Sequence, residues 1–344
     1  MSQPRKLKLA QVGVDHFGAY RRDRLRETGL FELVACYDWN AEAMQKAEQQ
    51  DGARPTASYA ELLATPGIEG MVVSTGAKFH AEQVLAALDR GLHVFVEKPL
   101  CASAAEMHAL LAAQRRTGLV VGVGHNDHRH DPCSAALHRL ITSGELGMIA
   151  AFDATTCHNG GMMIKPGDWR GDPAKNPGGM LFQCGVHKLH ELLYYFGPVT
   201  GVSCHLRYDA NPNTGTADTA HCILRFASGL LGTLNAYHVS PYYHTLNIFG
   251  TKSNLYANHR FFDEGTLLFR QTSHLDGKKE PLVPVAPEGQ EDRCGNVRSW
   301  YQAVVEGGTC YPSLVDGARA VAVIFAAEES AKQGGAMVEI PPLG

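Results

Sequence analysis

Three groups of residues have the types and spacing that chemistry at a bound nucleotide requires. The first is Gly13-Val-Asp-His-Phe-Gly18, which follows an apolar run and precedes a helical one. Glycines at both ends of such a turn let the chain bend tightly and let the next helix approach a pyrophosphate through its N-terminus. The usual motif has a middle glycine, where this chain has Asp15. The turn alone therefore fits a nucleotide site or an ordinary strand–helix connection.

A carboxylate follows the second predicted strand. Asp38 ends the run FELVACYD, about twenty residues beyond the glycine turn, where an acidic side chain accepts hydrogen bonds from the adenosine ribose. A carboxylate there also repels a 2′-phosphate, so the position favours NAD over NADP. The same residue could cap the helix predicted at AEAMQKAE, and the sequence leaves both roles open.

The second group is Glu97-Lys98-Pro99, directly after the apolar run HVFV. A lysine at the C-terminal end of a parallel strand lies at the crevice where open α/β sheets bind their ligands. Proline fixes the backbone at the next position. The alternative is a surface lysine in a turn, and the location between a strand and a proline favours the functional interpretation.

The third group begins at Gly178-Gly179 and ends with Gln183 and His187, where the helical run HKLHELLYYFG starts. Gln183 and His187 are four residues apart, so on a helix their side chains share one face. A histidine in a pocket can take and return a proton near neutral pH. The alternative is a histidine that only caps or packs at the start of the helix.

Histidines also gather in His125-Asn126-Asp-His128-Arg-His130, with Cys133 just beyond. Residues of these types at short spacing suit zinc, sugar hydroxyls or a solvated loop. Because the run follows a strand that should end at the same crevice, contacts to a polar ligand are preferred and no metal is predicted. Further candidate pocket residues are His158, Tyr237 and His238.

The elements that position these groups alternate regularly over the first third of the chain. The predicted strands, apolar throughout, are KLKLAQVGV, FELVACYD, GMVVST, HVFVEK and LVVGVG, and helical stretches separate them. This pattern indicates a parallel sheet covered on both faces, which right-handed crossovers wind into a doubly wound Rossmann fold.

After Gly124 the pattern changes to period-two alternation with glycine and asparagine turns, which predicts a mostly antiparallel sheet. The predicted fold class is α/β: an N-terminal Rossmann doubly wound parallel sheet plus a C-terminal α/β domain with a large, mostly antiparallel open sheet. The predicted domains cover 1–124 and 125–344.

Composition excludes several classes of protein. The chain has 31 Lys and Arg against 35 Asp and Glu, a net charge of −4, which argues against a nucleic-acid partner. No apolar run approaches the length of a membrane span, and the first residues lack the apolar core of a signal peptide. The nine cysteines form no CxxC pair, which favours a reducing, cytoplasmic location.

Taken in order, the glycine turn, the Glu-Lys-Pro segment and the Gly-Gly…His segment resemble the glucose–fructose oxidoreductase/inositol dehydrogenase/MocA family over essentially the whole chain. The resemblance implies NAD as cofactor and an oxidoreductase that acts on a secondary hydroxyl of a sugar, cyclic polyol or glycoside. It implies these cofactor-binding residues: Gly13, His16, Phe17, Gly18, Asp38, Thr75, His80, Glu97 and Lys98. It implies these substrate-binding residues: His125, Asn126, His158, Trp169, Arg170, Gln183 and His187.

The resemblance also implies a mechanism in which Lys98 and His187 are the joint catalytic candidates for the hydroxyl proton. The family commonly has aspartate where this chain has Gln183, and an amide cannot titrate although it both donates and accepts hydrogen bonds. Desolvation beside a cofactor could lower the pKa of Lys98 toward neutral pH.

Two other functions stay open at this point. One is an NAD-dependent glycosidase that works by transient sugar oxidation, elimination, hydration and re-reduction, as some family members do. The other is a non-catalytic NAD-bound sensor. Because one face of the second sheet should lack helices of its own, and because family members assemble on that sheet, a homodimer or homotetramer is predicted.

Overall fold

The computed structural model describes residues 4–211, 213–260, 265–273 and 280–343. The chain forms two compact units. The first contains Met1–Asp127 and Asp292–Ala318, and the second contains His128–Glu291 and Arg319–Gly344.

The first unit is built on a six-stranded, all-parallel sheet. Its strands are β1 (Leu7–Val12), β2 (Phe31–Tyr37), β3 (Arg54–Pro55), β4 (Gly70–Val73), β5 (His93–Val96) and β6 (Val121–Val123). Its helices between the strands are α1 (Phe17–Thr28), α2 (Ala41–Asp51), α3 (Tyr59–Leu63), α4 (Ala77–Asp89) and α5 (Ala104–Thr117). The strand order β3-β2-β1-β4-β5-β6 is that of a Rossmann fold, which confirms the predicted class.

Local sequence explains where these helices begin and end. Asn40, Ser58 and Ser103 each accept backbone N–H bonds at the start of α2, α3 and α5. Gly52 and Gly118 end α2 and α5 in the left-handed conformation that glycine adopts without strain. The N-terminus of α1 lacks such a side-chain cap.

The second unit carries a nine-stranded sheet. Its strands are β7 (Ile149–Cys157), β8 (Val199–Arg207), β9 (Thr219–Phe226), β10 (Leu231–Tyr237), β11 (Tyr243–Gly250), β12 (Ser253–Arg260), β13 (Gly265–Thr272), β14 (Leu282–Pro284) and β15 (Val338–Glu339). Its helices include α6 (Pro132–Thr142) and α7 (Val186–Phe196), and a π-helical turn spans Leu181–Gly185. The order is β14-β13-β12-β11-β7-β10-β9-β8-β15, and β7 with β10 is the parallel pair among otherwise antiparallel pairs.

The two faces of this sheet differ. On one face Phe152 of β7 stacks on Phe196 of α7, with their ring centroids 5.0 Å apart. On the other face Ile223, Leu231 and Tyr243 are about half exposed. The mostly antiparallel sheet is therefore as predicted, and one of its faces displays apolar side chains.

The chain returns to the first unit near its C-terminal end. This return comprises residues 292–318, with α8 (Gly295–Val305) and the start of α9 (Leu314–Lys332). Trp300 of α8 is fully buried, with its ring 5.8 Å from Phe31 and 5.7 Å from Phe95. The predicted boundary after residue 124 assigned these residues to the second domain. Helical periodicity in α8 does not indicate which sheet the helix covers.

Within the described part of the chain, none of the helices combines the length and the apolar character that a membrane crossing needs.

Candidate active site

The glycine turn of the first unit leaves space that side chains would fill. Gly13 has φ +78°, and a Cβ built on it would lie 2.7 Å from the carbonyl carbon of Ser74. A Cβ on Gly18 would collide with the carbonyl oxygen of Gly13. Both glycines are therefore required where β1 turns into α1, and the free N-terminus of α1 opens on this turn.

Carboxylates hold the first amides of the turn. Asp38 accepts from Val14 N at 2.7 Å and from Asp15 N at 3.2 Å. Asp15 accepts from His16 N at 2.8 Å and from Asn40 Nδ2 at 2.8 Å, and these bonds hold its pKa below the usual value. Asp15 thus remains an anion beside the N-terminus of α1.

Asp38 does not cap α2. Its second oxygen accepts from Asn40 N at 2.9 Å, and the Asn40 side chain supplies the cap. The buried Asp38 carboxylate fixes the glycine turn against the end of β2, so the capping alternative was wrong. Sequence reasoning missed Asn40, although an asparagine directly before a helical run is a recognised cap signal.

Aromatic side chains surround the mouth of this turn. Trp39 is 78 % exposed and lies 5.5 Å from the Phe79 ring in an edge-on arrangement. Phe17, the first residue of α1, is half exposed, and the exposed His16 adopts φ 45°. Exposed flat rings beside a glycine turn provide a surface on which a nucleobase can stack. Trp39 was not predicted from the sequence.

Thr75 and His80 have internal partners. Thr75 Oγ1 donates to Gln83 Oε1 at 2.6 Å. The buried His80 ring places one nitrogen 2.9 Å from Thr75 O and the other 2.9 Å from Pro99 O. Burial lowers the pKa of His80. The histidine therefore ties the loop after β4 to the segment after β5.

Glu97 and Lys98 leave β5 in different environments. Glu97 is buried, and its Oε1 accepts from Arg21 Nε at 2.6 Å. Lys98 is half-buried and precedes Pro99 through a cis peptide bond. Because β1 and β5 are parallel strands of one sheet, Lys98 and the glycine turn lie at the same edge.

The predicted histidine run divides between the two units. His125 is buried at the end of β6 and Asn126 is exposed, both in the first unit. His128 begins the second unit and packs against His190 and Tyr194 of α7. Among the described residues, no group of three or more His, Cys, Asp or Glu side chains is arranged to hold a metal.

In the second unit a π-helical turn leads into α7. Gln183 lies on this turn and His187 is the second residue of α7, and both are half-buried. Gly179 has φ +50°, and a Cβ there would collide with the Ala217 carbonyl oxygen. The glycine pair therefore sets the path of the chain into the helix that carries His187.

Three imidazoles, His158, His238 and His244, form what we call the histidine patch of the second unit. His158 and His238 lie edge-on with ring centroids 5.0 Å apart. His244 pairs with Thr156 across β11 and β7, and its Nδ1 lies 3.0 Å from Thr156 Oγ1. Thr156 Oγ1 in turn lies 3.7 Å from Cys184 Sγ, so this face of the sheet meets the π-helical turn.

Two rings of the histidine patch, His238 and His244, are neutral near pH 7. Burial lowers the pKa of both His238 and His244 to about 4. His158 Nδ1 accepts from Gly160 N at 2.9 Å, so a neutral His158 carries its proton on Nε2. Sequence reasoning missed Thr156 and His244, because β7 and β11 pair although they are distant in the sequence.

Other predicted residues lie near or away from this patch. Trp169 and Arg170 form a short 3₁₀ turn, with the guanidinium 4.7 Å from the indole ring. The charge of Arg170 contributes to the low pKa of His238, after burial and His158. Tyr237 alternates with His238 and therefore points to the opposite face of the sheet, so its prediction as a pocket residue was wrong.

A buried ion pair lies beside the histidine patch. Lys188 Nζ donates to Glu191 Oε2 at 2.5 Å. Burial alone would raise the pKa of Glu191, but the charge of Lys188 lowers it below its usual value. Lys188 was not predicted as a site residue.

The first unit thus fits a dinucleotide at its glycine turn. Two glycines clear the approach, the α1 amides are free of a side-chain cap, and a carboxylate ends β2. Asp15 is the departure from this pattern.

Comparison with known proteins agrees with this geometry. Residues 7–125 match the family model described as "Oxidoreductase family, NAD-binding Rossmann fold". Residues 134–256 match the GFO/IDH/MocA C-terminal domain.

Among curated relatives, scyllo-inositol 2-dehydrogenase (NAD(+)) of Bacillus subtilis is 28 % identical over 341 residues, covering 96 % of this chain and 95 % of the relative. Levoglucosan dehydrogenase of Pseudarthrobacter phenanthrenivorans is 24 % identical, covering 88 % of each chain.

Solved structures show the same fold. Levoglucosan dehydrogenase in complex with NADH matches with a TM-score of 0.86 at 21 % identity, covering 98 % of this chain and 100 % of that one. An oxidoreductase domain protein from Kribbella flavida matches with a TM-score of 0.85 at 23 % identity, also covering 98 % and 100 %.

Proposed function

Because this chain belongs to the GFO/IDH/MocA family of oxidoreductases and binds NAD through its Rossmann unit, we propose that it is a sugar or cyclic-polyol dehydrogenase. The reaction is the oxidation of a secondary CH–OH group to a carbonyl. The observation that carries the proposal is Lys98, which leaves β5 at the same sheet edge as the dinucleotide-binding glycine turn.

The dinucleotide would be held by the residues of that edge. Gly13 and Gly18 would give the pyrophosphate access to the α1 amides, Asp38 would accept from the ribose, and Trp39 would offer the base a stacking surface. When bound, NAD⁺ supplies the hydride acceptor at C4 of its nicotinamide.

The chain's own residues manage the proton. Lys98 and His187 are the proposed acceptors for the hydroxyl proton while the same carbon loses its hydride, so that each turnover yields one carbonyl, one NADH and one proton. Gln183 cannot titrate, and we assign it to hold a substrate hydroxyl by donating and accepting hydrogen bonds. The other residues proposed to bind substrate are His125, Asn126, His158, Trp169 and Arg170.

The histidine patch supports a polyhydroxylated substrate. His238 and His244 are neutral near pH 7 because burial lowers the pKa of each to about 4. A neutral imidazole donates from one nitrogen and accepts at the other, as a hydroxyl also does both. The names of the inositol and levoglucosan dehydrogenases among the relatives point to the same chemical class.

A spectrophotometric screen tests the function. Purified protein with NAD⁺ is incubated with inositols, aldoses, uronates and glycosides, and NADH formation and aglycone release are both recorded. The proposal predicts NADH formed in proportion to substrate oxidised for at least one polyol or sugar. Aglycone release without NADH would replace it with the redox-neutral glycosidase, and tight NAD binding without turnover would indicate a sensor.

We also propose a homodimer or homotetramer formed through the sheet of the second unit, because Ile223, Leu231 and Tyr243 expose apolar surface on one face.

All nine cysteines are free thiols, which supports a cytoplasmic location.

A further inference from the structure

We propose that Arg21 of α1 is a positioning residue that fixes Lys98 through the Glu97 carboxylate. This inference takes one element from the proposed function, which is the role of Lys98 in proton transfer. The contacts that carry it lie entirely within the first unit.

Arg21 contacts the end of β5 at two residues. Its Nε donates to Glu97 Oε1 at 2.6 Å, and the two side chains are only 3 % and 4 % exposed. Its guanidinium carbon lies 4.7 Å from the centre of the Phe95 ring. Phe95 and Glu97 alternate along one side of the chain, so a single arginine contacts both. Lys98 follows Glu97 directly, so the position of its backbone depends on where Glu97 is held.

The same arginine connects β5 to the neighbouring strand end. Arg21 Nη1 donates to Asn296 Oδ1 at 3.3 Å. Asn296 Nδ2 donates to the carbonyl oxygen of His125 at 2.8 Å. The chain Glu97–Arg21–Asn296–His125 therefore joins the ends of β5 and β6, and the return of α8 to this unit supplies one of its links.

Glycine leaves room for the Glu97 carboxylate. A Cβ on Gly124 would collide with Glu97 Oε2. The carboxylate is thus packed between the end of β6 and the Arg21 guanidinium. Any loss of the guanidinium would leave a buried anion next to Lys98 without its counter-charge.

Such an arrangement is better explained by positioning than by stability. A buried ion pair recovers little more than the desolvation energy of its two ions, and a well-packed apolar pair is often as stable. What the pair adds is a fixed direction, because a guanidinium bonds a carboxylate in a defined geometry.

The adjacent residue offers a matched control. Arg22 of the same helix is equally buried and pairs with Asp51 of α2. This second pair contacts neither β5 nor β6 in the bonds that it forms. Arg22→Met therefore removes a buried arginine of the same helix without touching the support of Lys98, and Asp51 keeps its bond from Arg26.

The experiment compares Arg21→Met, Arg21→Lys, Glu97→Gln and Arg22→Met in the full chain. We expect Arg21→Met to lower kcat by about tenfold or more while the Kd for NADH changes by less than about threefold. Arg21→Lys should recover part of kcat, since it keeps the charge but not the guanidinium geometry that bonds both Glu97 and Asn296. Arg22→Met should leave kcat within about twofold of the native value.

A second readout does not depend on turnover. The acetylation rate of Lys98, measured by peptide mass spectrometry at about pH 8 against other lysines of the chain, reports the charge around its ammonium group. An unbalanced Glu97 carboxylate stabilises that ammonium, so Arg21→Met should slow acetylation. Glu97→Gln removes the carboxylate and should speed it. Arg22→Met should change neither.

The outcomes separate this inference from the proposed function. The positioning role would be overturned if kcat fell equally in Arg21→Met and Arg22→Met. It would also be overturned if the acetylation rate of Lys98 stayed unchanged in both Arg21→Met and Glu97→Gln. If Arg21→Met does not fold, the acetylation rates of Lys98 in Glu97→Gln and Arg22→Met are compared instead. The positioning role then requires a faster rate in Glu97→Gln and an unchanged rate in Arg22→Met. If the acetylation rates change as expected but no sugar or polyol reduces NAD⁺, the positioning role stands and the proposed function fails.

Discussion

At the scale of single residues, Asp15 is the feature that most distinguishes this dinucleotide site. Its carboxylate accepts from His16 N, an amide at the start of α1 that an approaching pyrophosphate would also use. Two negative groups therefore compete for one helix N-terminus. The bond from Asn40 is the first of the interactions that lower the pKa of Asp15, so the carboxylate stays ionised throughout the neutral range.

We expect Asp15→Gly to tighten NADH binding by about tenfold, which corresponds to about 1.4 kcal/mol. Asp15→Asn removes the charge but keeps a hydrogen-bonding side chain, and it should give an intermediate affinity. Isothermal titration with NADH measures both. Weaker binding by Asp15→Gly would mean that the carboxylate is itself a ligand for the cofactor.

His238 makes stability depend on acidity. Burial lowers its pKa in the folded chain to about 4, against an ordinary value of 6.5. As the pH is lowered, this histidine therefore takes up its proton in the unfolded chain before it does so in the folded chain. Its contribution to the free energy of unfolding is fully present above about pH 6.5 and falls as the pH approaches about 4. We expect His238→Asn to reduce this loss by about 2 kcal/mol between about pH 7 and pH 5, measured by urea unfolding. The exposed His205 is the control, and an equal effect of His205→Asn would contradict the assignment.

At the scale of elements, the sequence predicts the helices and strands that are marked by local residue patterns. The five longer strands and the alternating helices of the first unit are as expected, because buried parallel strands are apolar throughout and glycine or asparagine marks the helix ends. The run TLNIFGTKSNLYA contributes to both β11 and β12, because the chain reverses after Gly250. The sheet that α8 covers could not be predicted, since amphipathic periodicity does not identify a packing partner.

The candidate site shows the same division. Gly13, Asp38, Lys98 and His187 stand out because residue type and position along one strand or helix are visible in the sequence. Arg21, Thr156 and His244 do not, since their roles depend on pairing between distant segments. The π-helical turn also escaped prediction, because one extra residue in a turn leaves no clear periodic signal.

The turn into α7 should be sensitive to a single methyl group. A Cβ at Gly179 would meet the Ala217 carbonyl oxygen in addition to the strain of positive φ. We expect Gly179→Ala to lower the free energy of unfolding by about 2–4 kcal/mol. Gly229→Ala, at positive φ in open space, should cost only about 1 kcal/mol. Equal losses in urea unfolding would show that backbone strain alone is involved.

At the scale of the whole molecule, the sheet of the second unit suggests how copies associate. Ile223 of β9 is 47 % exposed on the face that displays Leu231 and Tyr243. We expect light scattering to show a dimer or tetramer, and Ile223→Arg to shift it toward monomer because a charge would be buried in the contact. A native chain that is monomeric at micromolar concentration would contradict the proposed assembly.

Lys98 is the residue on which the proposed mechanism depends most. The decisive measurement is the rate of NADH formation by Lys98→Met with the best substrate of the screen, together with the NADH Kd of the same variant. We predict that kcat falls by about a thousandfold or more, while the NADH Kd stays within about threefold of native. A variant that keeps near-native kcat would contradict the proposed mechanism.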